Sequence, residues 1–158
     1  MAWTISGFFS ESIEDLFTNT VAWTWDAGTW NVALFDNTIT PDFTVTAANT
    51  AYAVAVWVVG NEVDNPAAWP AGGPVLAGGA VTKELPGAGQ VQLDATNQSE
   101  ASTTLVNARG CLLYMGSLAS PVVDQSLLAV NFGSDFSTTN GTFAITWDTN
   151  GVAYFDVW

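Results

Sequence analysis

The sequence predicts a mostly β, antiparallel domain, a β-sandwich or a barrel-like sheet with one short N-terminal α-helix. Three observations predict it. After Thr29, apolar and polar residues alternate over short runs, the two-residue period of half-buried strands. Clusters rich in Gly, Pro, Asn and Asp separate these runs. Only one stretch, near the start, carries apolar residues at helical spacing.

That stretch is GFFSESIEDLF. Ser10 is placed to cap a helix whose stripe is Phe9, Ile13, Leu16 and Phe17, with Glu11 and Glu14 in the early turns where negative charge is favoured. Its expected role is to cover an open side of a sheet. Trp23 and Trp25 then alternate with Thr24, and Thr29 to Phe35 reads as a strand with Trp30, Val32 and Leu34 on one face. A second strand is expected at Phe43 to Ala47. The run AYAVAVWVVG reads as a buried strand with Tyr52, Val54, Val56 and Val58 together, its alanines leaving helix as the alternative.

Asn65 to Pro74 holds three prolines and two glycines and reads as a loop. Two strands follow, PVLAGGAVTKEL and QVQLDA, the second with Val91 and Leu93 inward and Gln90, Gln92 and Asp94 outward. The polar stretch Thr96 to Thr104 reads as a connection. Ala108 to Gly116 reads as a central strand, with Arg109, Cys111 and Leu113 on one face and Leu112 and Tyr114 on the other. LLAVNF is a strand ending at Phe132. NGTFAITW and GVAYFDVW read as a terminal hairpin, since Asn140-Gly141 and Asn150-Gly151 accept positive φ cheaply. The total is eight or nine strands and one helix.

One domain, 1–158, accounts for the length, and no composition shift or fixed-period repeat divides it. Hydrophobic residues make up 49%, too many for a disordered chain. Charged residues make up only 11%, against about a quarter in an ordinary globular chain, so Thr, Ser, Asn, Gly and Ala must cover much of the surface. Such a surface costs little to desolvate at a broad contact.

Fifteen acids face two bases, Lys83 and Arg109, for a net charge of -13. Two cations cannot neutralise a track of phosphates, so neither nucleic acid nor an anionic membrane is an expected partner. With one cysteine, Cys111, no disulfide forms within the chain. The first residues lack a basic region and meet acids by Glu11, unlike a signal peptide. The longest apolar run, Ala51 to Val59, is too short for a membrane-spanning helix. Synthesis in a cytoplasm is expected.

There is no histidine, which removes Ser/His/Asp and Cys/His catalysis and zinc sites built on His or paired Cys. Cys111, in a strand pattern without a base, reads as core filler. Asp36, Asp42, Asp64, Asp124 and Asp135 fall in or near turns, where a carboxylate bonds the local backbone. Asp135 with Ser134 and Asn140 is at best a partial calcium site, and no DxDxDG loop exists. The glycine clusters are not G-x-G-x-x-G opening a helix. No catalytic, cofactor or metal residue is therefore assigned, and no cofactor is expected.

Of eight tryptophans, Trp25, Trp30, Trp57 and Trp147 fall in strand patterns. Trp3, Trp69 and Trp158 are the candidates for a contact surface. Trp69, held in a stiff Pro/Gly loop, either folds back over the core edge or anchors a partner.

The order of segments is similar to that of a family of small structural proteins from the head and neck region of tailed bacteriophages. The resemblance rests on NVALFDNTITP (Asn31 to Pro41), NEV (Asn61 to Val63), PAGGPVLAGGAVT (Pro70 to Thr82), QVQLDA (Gln90 to Ala95) and NFGSDFSTTNGTFAITWDTNGV (Asn131 to Val152). It implies a virion structural protein, a head-decoration or minor head protein assembled in the host cytoplasm. Its partners would be the major capsid protein or other virion proteins, or further copies of itself. A neck or tail component, and a sugar or cell-surface binding module, are the alternatives.

Overall fold

The computed structural model describes residues 3–44, 50–83 and 89–156, Lys83 by its backbone alone. Among these, nine strands and one α-helix run in chain order: β1 (Gly7–Phe8), α1 (Ser10–Thr18), β2 (Trp30–Phe35), β3 (Ala80–Lys83), β4 (Gln90–Asp94), β5 (Gln98–Thr103), β6 (Ala108–Met115), β7 (Ser126–Phe136), β8 (Gly141–Ile145) and β9 (Ala153–Asp156). They form three small antiparallel sheets, in the orders β1-β7-β6-β2, β3-β4-β9 and β5-β8. The fold is mostly β, as expected, but no sheet closes into a barrel or curls strongly.

The four-stranded sheet is central because apolar residues occupy both of its faces. On β2, Trp30, Val32 and Leu34 join one core cluster while Ala33 and Phe35 join another. On β6, Cys111, Leu113 and Met115 take the first face, and Leu112 and Tyr114 the second. The register runs unbroken from Trp30↔Met115 to Phe35↔Gly110, so this two-sided pattern is preserved along the pair. A register shift between Ala108 and Gly110 puts Ala108, not Arg109, into the first cluster. Arg109 instead donates to the Trp3 carbonyl and pairs with Asp135 at 3.3 Å. The first face is covered by Leu93, Phe143 and Ile145 from the smaller sheets, together with Trp25 and Trp69. The second is covered by Trp3, Phe9, Ile39 and Trp57.

Several expectations are corrected. The run AYAVAVWVVG is neither strand nor helix but a series of turns ending in a 3-10 turn at Val59–Asn61. Ala53 and Ala55 have φ of 64° and 53°, a left-handed backbone that interrupts any ladder. Trp57 is this segment's large buried side chain, beside the buried Ala51, and it packs edge-on against Trp3, Phe9 and Phe35. Within Phe43 to Ala47, Phe43 and Thr44 lie in a turn, and the rest is outside the described residues. The polar stretch expected to be a connection contains β5, whose partner is β8. Gln92 is buried rather than outward.

The terminal hairpin does not form. β8 pairs with β5, and β9 pairs with β4. The turn between them is real, closed by the Gly151 N–H on the Asp148 carbonyl at 2.9 Å, but it passes the chain from one sheet to another. Gly151 has φ +86°, and a Cβ there would lie 2.5 Å from the Leu93 carbonyl oxygen. That same oxygen accepts the Val152 N–H at 2.7 Å. Gly151→Val is therefore expected to cost about 1–3 kcal/mol through backbone strain and collision. Urea unfolding of the purified variant checks it; an unchanged midpoint and m-value would contradict the geometry.

Helix α1 forms where expected but buries a different side. The cap position falls on Phe9, which makes no side-chain cap bond, and the Ser10 N–H is taken by the Phe43 carbonyl at 2.9 Å. Asn19, in the left-handed region, ends the helix. The inward residues are Ser12 and Asp15. Ser12 Oγ donates to the Ser126 carbonyl at 2.6 Å, and Asp15 Oδ2 accepts from Gln125 Nε2 at 2.8 Å. These bonds fix α1 against the start of β7. Phe9 is buried and Ile13 half-buried, but Leu16 is 44% and Phe17 83% exposed. The apolar stripe thus looks sideways, along the surface.

Candidate interaction site

The stripe of α1 faces a groove of about 410 Å³. Ile13, Leu16 and Phe17 form one wall, and Val81, Val91 and Phe155 from β3, β4 and β9 form the opposite one. Its floor holds Trp23, Trp25 and Trp30 with Leu93 and Leu127. Phe8 stacks on Phe155 with ring centres 4.9 Å apart, tying β1 to β9 across one end. The indoles of Trp25 and Trp30 donate to the Asp94 and Thr24 carbonyls. Trp23 stacks on Trp30 at 5.4 Å, and its buried indole N–H has no partner. All the lining residues are apolar. Val81 is 52% exposed and Phe155 36%, so both walls present apolar surface to solvent.

The structure places the sequence-derived contact candidates elsewhere. Trp69 is fully buried, its indole donating to the Val32 carbonyl at 3.2 Å and its ring edge-on to Phe143 at 5.3 Å. It is a core residue, the folded-back reading of its loop. Trp3 is also fully buried, because Arg109 and Asn131 both donate to its carbonyl and hold it over Trp57. Neither side chain is available as a contact anchor. Trp158 lies outside the described residues.

A second cluster was missed by sequence reasoning. Glu62 accepts from the Tyr52 hydroxyl at 2.7 Å and from the Gly72 N–H at 2.6 Å. Tyr114 donates to the Gly72 carbonyl at 2.8 Å and stacks on Tyr52 at 4.7 Å. Both Glu62 oxygens are used, so the cluster is a clamp joining the 3-10 turn to the Pro/Gly loop.

Burial raises the Glu62 carboxyl above its ordinary value, outweighing the Tyr52 and Gly72 hydrogen bonds; Asp64 adds to the rise. The folded state therefore keeps this proton at pH values where the unfolded chain has lost it, and stability falls as pH rises from the ordinary glutamate range through the folded value. The stability of the wild type relative to Glu62→Gln is expected to increase on going from neutral to mildly acidic pH. Urea unfolding of both at the two pH values checks the sign; a constant or reversed difference would contradict it.

The turn aspartates behave as turn residues. Asp36 takes the N–H and hydroxyl of Thr38, and Asp42 those of Thr44, whose bonds hold the Asp42 carboxyl below its ordinary value. Cys111 is fully buried, and burial pushes its thiol far up, away from thiolate chemistry. Among the described residues, no group of three or more Asp, Glu or Cys is placed to hold a metal ion. No helix there is long and apolar enough to cross a membrane. Comparison with known family models, characterised proteins and solved structures finds no match.

Proposed function

We propose that the chain is a structural protein of a tailed-bacteriophage particle, a head-decoration or minor head protein held in place by protein–protein contacts. The observation that carries the contact role is the open apolar groove on an otherwise charge-poor surface. A surface cleft of this size with no titratable side chain in its lining offers no acid, base or nucleophile, and what it supplies is apolar contact area. The resemblance of the segments from Asn31 to Val152 supplies the particle. Within this reading the central sheet with smaller sheets on one face is a β-sandwich built for lateral contacts, and the acid excess faces basic patches on a capsid lattice.

The reading includes no catalytic role, no cofactor, no nucleic acid and no membrane. A sugar-binding module has less support, since Trp3, Trp25, Trp30, Trp57 and Trp69 are buried and Trp23 and Trp147 half-buried. The test is quantitative mass spectrometry of purified particles. A fixed, high ratio of this chain to the major capsid protein is expected; its loss during particle purification would overturn the reading. A low fixed ratio would move it from head decoration to the neck or tail.

A further inference from the structure

We propose that β8 is a dimerisation edge, which pairs antiparallel with β8 of a second copy of this chain about a two-fold axis at Ala144. Each sheet has two outer strands. In the central sheet β1 has only two residues, and the Pro/Gly loop lies along β2. Of the others, β3 carries Lys83, β5 Glu100 and β9 Asp156, charges that discourage a strand from another chain. β8 carries no charge, no proline and, among the described residues, no strand partner besides β5. Five residues is an ordinary strand length, and Thr, Phe and Ile suit a strand. The Trp147 N–H bonds Asn97 Oδ1 at 2.9 Å, and the Gly141 carbonyl accepts from the Thr103 hydroxyl at 3.1 Å, so odd-numbered residues turn their backbone toward β5. By alternation Thr142, Ala144 and, just past the strand, Thr146 turn theirs the other way. A groove of about 510 Å³ runs there, between β8 and the rings of Phe132 and Phe136 on β7. Inward Phe143 and Ile145 and outward Thr142, Ala144 and Thr146 all line it, which places it along the strand's edge and not on one face.

A row of open N–H and C=O groups takes an extended strand, and the sequence says whose. Thr142-Phe143-Ala144-Ile145-Thr146 reads Thr, large apolar, Ala, large apolar, Thr from either end. Turned about Ala144, Thr142 opposes the partner's Thr146 and Phe143 opposes the partner's Ile145. Thr–Thr and aromatic–β-branched pairs are favourable across strands. The same register sets Thr142, Ala144 and Thr146 in hydrogen-bonded pairs, as their outward backbone groups require. Phe136, 48% exposed, lines the groove that the second strand would fill. Phe136 to Trp147 holds no charged residue, so two copies meet here without setting like charges against each other.

Sedimentation equilibrium of the full chain over a concentration series is expected to show a monomer–dimer equilibrium. Sodium chloride is expected to tighten it, because salt screens the repulsion between two chains of net charge -13. Ala144→Lys sets two like charges opposite each other on the axis, and Ala144→Pro removes the outward N–H. Each is expected to weaken the dimer by about tenfold or more. Ala144 is exposed, so A144K is expected to unfold in urea like the wild type and to decide the matter even if A144P does not fold. With diamide as oxidant, A144C is expected to form a disulfide-linked dimer, since the Cα atoms of a hydrogen-bonded pair lie about 5.5 Å apart. T142C, which stands opposite position 146, is expected not to. Cys111 is fully buried and does not compete. A wild-type chain that stays monomeric would leave the edge to a strand of another protein and overturn the proposal. So would a dimer that A144K leaves intact, one that salt dissociates, or one lost in L16S/F17S, which would place the contact at the α1 groove. All these measurements use the free chain, so their outcome is separate from whether the chain is found in particles.

Discussion

Trp69→Ala is expected to destabilise the domain by about 3–5 kcal/mol, the range for truncating a large aromatic in a packed core. Trp69 closes its own turn, its N–H and carbonyl both bonded to Asn65 at 2.8 and 2.7 Å. Pro70 follows at once, so the turn has little freedom to relax into the space left behind. The ring fills the junction between β2 and β8, edge-on to Phe143, and its indole N–H caps the Val32 carbonyl. Removing it leaves a cavity where the central sheet meets the β5-β8 pair. Urea unfolding with an unchanged m-value measures the loss. A cost below about 1 kcal/mol would mean that the ring contributes little to the core.

Gly73→Ala is expected to cost a similar amount, about 3–5 kcal/mol, by a different mechanism. Gly73 has φ +74°, and a Cβ there would fall on the Val32 carbonyl and lie 2.7 Å from the Ala33 nitrogen. Backbone cannot move aside as a side-chain tip can. The Pro/Gly loop lies along the free edge of β2, with the Val32 N–H on the Pro74 carbonyl at 3.1 Å and the Leu76 N–H on the Trp30 carbonyl at 2.8 Å. An alanine must lift this loop off the strand, exposing an edge that the fold otherwise covers. Gly133 supplies the control. It has φ +80° with nothing within 4 Å of a Cβ, so Gly133→Ala carries only the left-handed backbone cost of about 1–2 kcal/mol. The two variants compared in urea isolate the collision; equal costs would contradict the close approach of the loop to β2.

The two predictions also mark what the sequence could and could not convey. β2, β4, β6 and β7 were legible because each has at least one face pressed into a core, and the two-residue period records that pressure. β5 was not, since QSEAST is largely polar and half-exposed, and among the described residues the strand it pairs with is β8. The stretch Ala51 to Gly60 carries the pattern of a strand, yet its one large buried side chain is Trp57, and local bonds from the Ala53 N–H to the Trp57 carbonyl and from the Trp57 N–H to the Val54 carbonyl close a turn around the left-handed Ala53 and Ala55. Asn150-Gly151 correctly signalled a turn but not which strands it joins. A turn motif fixes local backbone and is silent on whether the chain returns to the same sheet.

The groove was half legible. Ile13, Leu16 and Phe17 stood out as a helical stripe, and the usual reading of such a stripe is burial against a sheet. Instead α1 is held by the hydrogen bonds of Ser12 and Asp15 to the start of β7, polar residues that a hydrophobic pattern discounts. The opposite wall comes from Val81, Val91 and Phe155, more than 60 positions away in sequence, so only the fold brings it into place. Trp3 and Trp69 failed as contact candidates for the converse reason. A tryptophan in a loop has enough apolar surface to be drawn inward whenever its indole N–H finds a carbonyl, as both do.

The most direct test of attachment through the α1 groove is photo-crosslinking in intact particles, with Phe17 replaced by a photoreactive benzoylphenylalanine. At 83% exposure this position accepts the larger ring without repacking the core. Under the proposed particle role, irradiation is expected to join the chain to another protein of the particle. A crosslink between two copies of this chain, or none at all from particles that contain it, would contradict the account.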